Sequence, residues 1–124
     1  MSGQKVNHFT DLEVWRRSHQ LFLDLLLDME RLPQRRAVDI LVDQTVRSLG
    51  SVGANIAEGF NRSQARFLNS LDIALGEADE TENWLYKFRD AKFLDEAKAN
   101  SHIRECIELE KMLGALMRSI RARD

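Results

Sequence analysis

The 124 residues fit one domain, 1–124, with the 44% hydrophobic and 31% charged shares of an ordinary globular chain. A formal net charge of −2 excludes the strongly basic balance of a dedicated nucleic-acid binder, and a lone cysteine excludes an intrachain disulfide and suits a reducing compartment. No apolar run approaches the roughly 20 residues that cross a bilayer, and Met1 to His8 lacks a signal-peptide core, so the expectation is a cytoplasmic soluble protein.

The first helix is predicted over 11–31. Thr10 and Glu13 have capping-box spacing, with Phe9 and Val14 placed as a hydrophobic staple. Leu12, Trp15, His19, Phe22, Leu26 and Met29 follow three-four spacing as its seam, and Leu21, Leu25 and Leu32 widen the apolar face. The helix has to stop before Pro33, because a residue preceding proline is pushed out of the helical region.

The second helix, 36–58, reads as a rod of roughly 35 to 40 Å ending at Gly59. Val38, Val42, Thr45, Leu49, Val52 and Ile56 form its seam, while Gln44, Ser48, Ser51, Asn55 and Glu58 repeat with the same rhythm on a neighbouring arc. The opposite flank carries Gly50, Gly53 and Ala57, too small to hold another backbone at ordinary helix spacing. This helix expects neighbours on most sides, one of them from a second copy of the chain.

Ser63 is the natural N-cap of a third helix, 63–91, with Phe67, Leu71, Ala74, Ala78, Thr81, Leu85 and Phe88 as its seam. The fourth, 97–122, starts between Asp95 and Ser101 and is carried by Ile103, Cys106, Leu113, Met117 and Ile120, with Ile107, Leu109 and Leu116 alongside. No strand-like alternation interrupts the pattern, and short connections imply antiparallel neighbours. The expected fold is all-α, an antiparallel up-down-up-down four-helix bundle.

Chemistry is poorly supported. His8, His19 and His102 converge with nothing that would build a metal or acid-base centre, and a di-iron bundle would need Glu-x-x-His on two helices, whereas His102-x-x-Glu105 is reversed and single. Cys106 lies on an apolar seam, and Ser48 and Ser51 lack a nucleophile-elbow context. No metal, cofactor, small-molecule substrate or catalytic residue is expected. In the acidic run Glu77, Asp79, Glu80 and Glu82, Glu77 and Glu80 share one face with Trp84, which makes Glu80 the better partner for Arg47. Arg47, Ser51, Asn55, Glu58 and Glu80 are the expected ordered polar contacts, serving structure or assembly.

The chain closely resembles the four-helix bundle proteins encoded in intervening sequences of bacterial 23S rRNA genes. The resemblance covers nearly the whole length. It is carried by Phe9-x-Asp11-Leu12-x-Val14-Trp15, by Gln44-x-x-Arg47-x-x-x-Ser51-Val52-x-x-Asn55-Ile56-Ala57-Glu58-Gly59, and by Phe67-Leu68-x-x-Leu71-x-Ile73-Ala74-x-Gly76 followed by Glu80-Thr81-Glu82. It departs at Glu77, where the family more often has Ser, and at Thr45, Ser48 and Leu49.

The resemblance implies a cytosolic homopentamer with no known catalytic activity, a ring-shaped scaffold or binding module of unknown physiological role. The family is more distantly similar to accessory proteins of diversity-generating retroelements, whose pentamers bind nucleic acid and a reverse transcriptase. By that analogy the alternative is a nucleic-acid-binding accessory protein for RNA or single-stranded DNA. Its contacts would be Arg16, Arg17, Arg62, Arg66, Arg118 and Arg121, clustered near the connections and the C-terminus, which a symmetric ring would repeat as a positive belt.

Overall fold

The computed structural model describes residues 5–123. Four α-helices follow a short 3₁₀ turn at Phe9–Asp11: α1 Glu13–Glu30, α2 Arg36–Gly59, α3 Gln64–Asp90 and α4 Glu96–Arg121. Among the described residues no helix is long and apolar enough to cross a membrane.

Interhelix pairs fix the topology. Between α1 and α2, Phe22 lies by Gly50 and Trp15 by Gly53. Between α2 and α3, Arg47 meets Glu80 and Gly59 meets Ser70. Between α3 and α4, Glu82 lies by Glu110 and Arg89 reaches Asn100, and between α4 and α1, Arg17 and Asp28 reach Glu105 and His102. In every pair one number rises as the other falls, so each helix runs against both neighbours, up-down-up-down. The core on α2 and α3 is the predicted one except that Val42 and Phe67 are half-buried and Ser48 is buried with the seam, and on α4 it adds Ala99, His102 and Leu109.

On α1 the seam differs from the expectation. The buried stripe is Val14, Ser18, Leu21, Leu25 and Met29, while Trp15 and Phe22 are half-buried and His19 and Leu26 exposed. The helix is rotated by about one residue, roughly 100° at 3.6 residues per turn. The buried stripe lies midway between two edges that each have a specific neighbour. One edge carries Arg17 and Asp28 to their partners on α4. The other lays Trp15 and Phe22 over Gly50 and Gly53 of α2. Ser18 tolerates the core because its hydroxyl donates to the Trp15 carbonyl at 2.9 Å. The small flank of α2 is therefore filled in part by α1 of the same chain.

The helix ends also correct details. Thr10 is not the cap of α1: Leu12 stands there without a side-chain bond. The capping interactions belong to the 3₁₀ turn, where the Asp11 carboxylate accepts from the backbone N–H groups of Asn7 and His8 at 2.9 and 3.0 Å, which hold it below the usual carboxylate range. Ser63 caps α3 through a bond from the Arg66 N–H at 3.3 Å, and Asp95 does the same for α4 through Lys98. α2 does end at Gly59, but the left-handed residue after it is Asn61, with φ 66°. Gly59 is needed for a close approach to α3, since a Cβ there would lie 2.5 Å from Ser70 Cβ.

Candidate functional site

The polar stripe of α2 faces α3, and its residues divide into bonds across the seam and bonds within α2. Arg47 Nη2 meets Glu80 Oε2 at 2.5 Å, and the same oxygen accepts from Trp84 Nε1 at 3.1 Å. One turn along, the buried hydroxyls of Ser48 and Thr81 lie 2.8 Å apart, and each also reaches a carbonyl of its own helix, Thr45 and Glu77. Ser51 and Asn55 instead bond to each other within α2, Asn55 Nδ2 donating to the Ser51 carbonyl at 2.8 Å and to its Oγ at 3.0 Å. Glu58 is exposed, and its carbonyl accepts from Arg62 Nε at 3.3 Å. The Arg47–Glu80 and Ser48–Thr81 bonds set the register of α2 against α3, whereas the Ser51–Asn55 bonds stay within α2. Among the described residues the partners of Ser48 are Thr45 and Thr81, and that of Ser51 is Asn55, so neither serine is paired with a general base.

The α1–α4 seam holds contacts that the sequence pattern did not reveal. Arg17 grips Glu105 with two prongs, Nε to Oε1 at 2.8 Å and Nη2 to Oε2 at 2.9 Å, a pairing that raises the Arg17 pKa. Asp28 takes His102 Nε2 at 2.7 Å and Lys98 Nζ at 3.1 Å. Burial alone would raise the Asp28 carboxyl, but these two hydrogen bonds outweigh it and hold the group below its ordinary value. Single-helix periodicity locates each of these residues at a seam edge and cannot name a partner some 70 to 90 positions away.

The arginines proposed for phosphate contact separate by whether they are ion-paired. Arg17 is spent on Glu105, and Arg16 donates to the Asp11 carbonyl at 3.0 Å and lies 3.7 Å from Glu13. Among the described residues Arg62, Arg66, Arg118 and Arg121 form no ion pair. The antiparallel topology gathers these four at one end of the bundle, where α3 begins and α4 finishes.

Between α1 and α2 an apolar cavity of about 400 Å³ opens to the surface, lined chiefly by Phe9, Trp15, His19, Phe22, Gly50 and Gly53. His19 stacks on Trp15 with ring centroids 4.8 Å apart, and Phe9 meets the same indole edge-on at 5.5 Å. Beside this cavity α1 presents Leu23, Leu26 and Leu27 to solvent, Leu27 at 63% exposure. The run Leu21 to Leu27 holds more apolar residues than one stripe can bury, and that surplus was the signal available in the sequence.

Two reactive-looking groups are chemically muted. Cys106 is fully buried, and burial pushes its thiol far up, so no thiolate forms at neutral pH. Asp79, Glu82 and Glu110 bring carboxylate oxygens within 4.8 Å of one another, yet nothing else at that spot points to an ion.

Fold and seams together define an all-α, antiparallel four-helix bundle whose polar groups are turned toward one another and whose uncovered feature is an apolar groove. The chain belongs to the 23S rRNA-intervening sequence protein family, whose sequence model matches residues 10–115. Similar to it is a protein of unknown function from the S23 ribosomal protein family of Bacteroides thetaiotaomicron VPI-5482, with a crystal structure at 1.70 Å resolution. The two are 30% identical with a TM-score of 0.77, over 84% of this chain and 97% of that one. None of the curated proteins matches the chain. Neither the family description nor that of the crystal structure states a reaction.

Proposed function

We propose that the protein is a non-enzymatic, self-assembling bundle, a ring-shaped homo-oligomeric scaffold or binding module working in the cytoplasm without cofactor. The homopentamer is the assembly that the family resemblance implies. One observation carries the reading: α1 is apolar on two faces and the chain covers only one. Leu23 and Leu27 are 41% and 63% exposed beside the open aromatic groove, with Ile40 of α2 at 52%. An uncovered apolar surface of this kind marks an interaction site, and a second copy of the chain supplies matching apolar surface for it.

Light scattering tests the reading. The wild-type chain is expected to show the mass of an oligomer, and Leu23→Glu with Leu27→Glu is expected to return it to the mass of one chain with its helical circular dichroism kept. A wild-type monomer, or a double variant that still assembles, overturns the proposal. Arg47, Ser51, Asn55 and Glu58 serve the same assembly, Arg47 by tying α2 to Glu80 of α3 and Asn55 by bonding to Ser51 within α2, so Arg47→Ala and Asn55→Ala together must change either mass or melting temperature.

A second reading is favoured by the four arginines at one end of the bundle that form no ion pair among the described residues: a nucleic-acid-binding accessory protein for RNA or single-stranded DNA, with a reverse transcriptase as protein partner. Arg62, Arg66, Arg118 and Arg121 would then neutralise phosphates, and log affinity should fall with log salt by about 0.7 per phosphate on a single strand. Labelled oligonucleotides that fail to bind at low salt rule it out.

A further inference from the structure

The carboxyl cluster between α3 and α4 poses a charge problem that the chain solves with a proton. Asp79 and Glu82 come from α3 and Glu110 from α4, each with a carboxylate oxygen within 4.8 Å of the others. Glu110 Oε2 is inaccessible to solvent, and no hydrogen-bond donor reaches it among the described residues. None of the three is in an ion pair among the described residues, so three full negative charges would repel across a seam that buries Leu85, Cys106 and Leu109.

The surrounding ionisable groups do not supply the missing charge. On α3 the Tyr86 phenol donates to Glu82 Oε2 at 2.6 Å. Arg89 lies over the Tyr86 ring, but its guanidinium bonds to Asp90 and Asn100. On α4 the neighbouring thiol is that of Cys106, Glu105 is held by Arg17 of α1, and Lys111 pairs with Glu108. On α2 the facing cation, Arg47, is engaged with Glu80.

We propose that Glu110 is the protonated member of a carboxyl–carboxylate clasp that ties α4 to α3, its O–H donating to the carboxylates of Glu82 and Asp79, and that alkali opens it. Opening is a simple proton loss: base removes the shared proton, and three carboxylates are left facing one another across the seam. Geometry and electrostatics agree on the direction. Burial, reinforced by the hydrogen bond and charge of Glu82 and by Asp79, pushes the Glu110 carboxyl up to about 8 from an ordinary 4.5. The folded chain therefore retains, between those two values, a proton that the unfolded chain has lost. Stability from this group is fully present below about pH 4.5, declines as pH rises through the window and levels off above about pH 8. Above that point the α3–α4 seam of the folded chain is the part that loosens.

The test is a carbon-detected NMR titration of the Glu110 side-chain carboxyl in the full chain, in buffer containing EDTA, beside melting curves of wild type and Glu110→Gln from acid to alkaline pH. The clasp predicts a Glu110 midpoint near 8, a wild-type melting temperature that falls across the window, and a shallower fall in Glu110→Gln, whose amide donates without titrating. A midpoint in the ordinary carboxylate range overturns the proposal, and so does an identical slope in the variant. So too does a divalent cation: if calcium or magnesium in place of EDTA raises the alkaline melting temperature and Glu110 is ionised at neutral pH, the cluster holds a metal ion. Should Glu110→Gln not fold, the wild-type midpoint decides alone.

Discussion

Gly59 of α2 and Ser70 of α3 stand so close that a Cβ on the glycine would lie 2.5 Å from the serine Cβ and 3.1 Å from a ring carbon of Phe67. The two backbones approach here because neither carries bulk. Gly59→Ala is expected to lower stability by about 1–3 kcal/mol through overpacking, and Ser70→Gly in the same chain should recover part of the loss. Denaturant unfolding of the two single variants and the double one measures this. A neutral Gly59→Ala would mean that the α2–α3 turn yields more readily than its geometry implies.

Gly76 gives the opposite sign for the same substitution. It lies within α3, and a Cβ there would meet nothing within 4 Å. A helix-interior glycine costs about 0.5–1 kcal/mol relative to alanine. Gly76→Ala should therefore raise the melting temperature of the chain. A fall would show that another surface meets α3 at Gly76 in solution.

The buried hydroxyls of Ser48 and Thr81 make a coupled pair across the same seam. Either hydroxyl can donate to the other, and each also reaches a carbonyl of its own helix, Thr45 for Ser48 and Glu77 for Thr81, so loss of one leaves the other with a bond to its own helix. Each single change, Ser48→Ala or Thr81→Val, should cost about 1 kcal/mol. The double variant should cost less than the sum, because the second change removes a bond already broken. Strict additivity would separate the two hydroxyls energetically.

The sequence pattern read most of the α2 and α3 seams and misplaced that of α1, for a physical reason. Where one stripe of a helix is apolar, as with Leu71, Ala74, Ala78, Leu85 and Phe88, burial has a single solution. On α1 the apolar residues extend beyond one stripe, leaving Leu23, Leu26 and Leu27 exposed, and periodicity cannot choose among faces. The choice is made by partners on other helices: Glu105 and His102 on one side, the bare backbone at Gly50 and Gly53 on the other. The same limit applies to the polar seams. Arg47 with Glu80 was legible because Glu80 shares a helix face with Trp84, which left it the candidate partner for a cation, and Arg47 meets it from the exposed edge of α2. Asp28 with His102, and Glu110 with Glu82, need the register between helices, which no single-helix pattern contains.

Lys92 closes α3 in a conformation that its side chain disfavours. Its φ is 62°, and the bonds from Phe93 N–H to the Phe88 carbonyl and from Lys92 N–H to the Arg89 carbonyl form a Schellman ending. A left-handed residue with a Cβ costs on the order of 1 kcal/mol, and Lys92 is exposed, so nothing visible offsets it. Lys92→Gly should raise stability by up to about 1 kcal/mol despite the greater freedom of the unfolded chain. Lys92→Val, β-branched at the same angle, should lower it. Equal stability of the two variants would remove the argument from backbone strain.

Asp28 sets the acid limb of the stability profile. Its folded-state pKa lies below the ordinary 3.8 because the hydrogen bonds from His102 and Lys98 outweigh the opposing effect of burial. For a carboxylate shifted in this direction the stabilisation is present above the unfolded value and is lost as pH falls through the folded one, so the loss begins near pH 4 and continues below it. Asp28→Asn removes the titrating group and keeps the shape. It should cost about 1–3 kcal/mol at neutral pH, where His102 and Lys98 lose their charged partner, and the gap to wild type should narrow as the pH drops below about 4. Melting curves of both chains from pH 2 to pH 7 measure the two together, and a gap that stays constant to the acid end would mean that the carboxylate of Asp28 is not what joins α1 to α4.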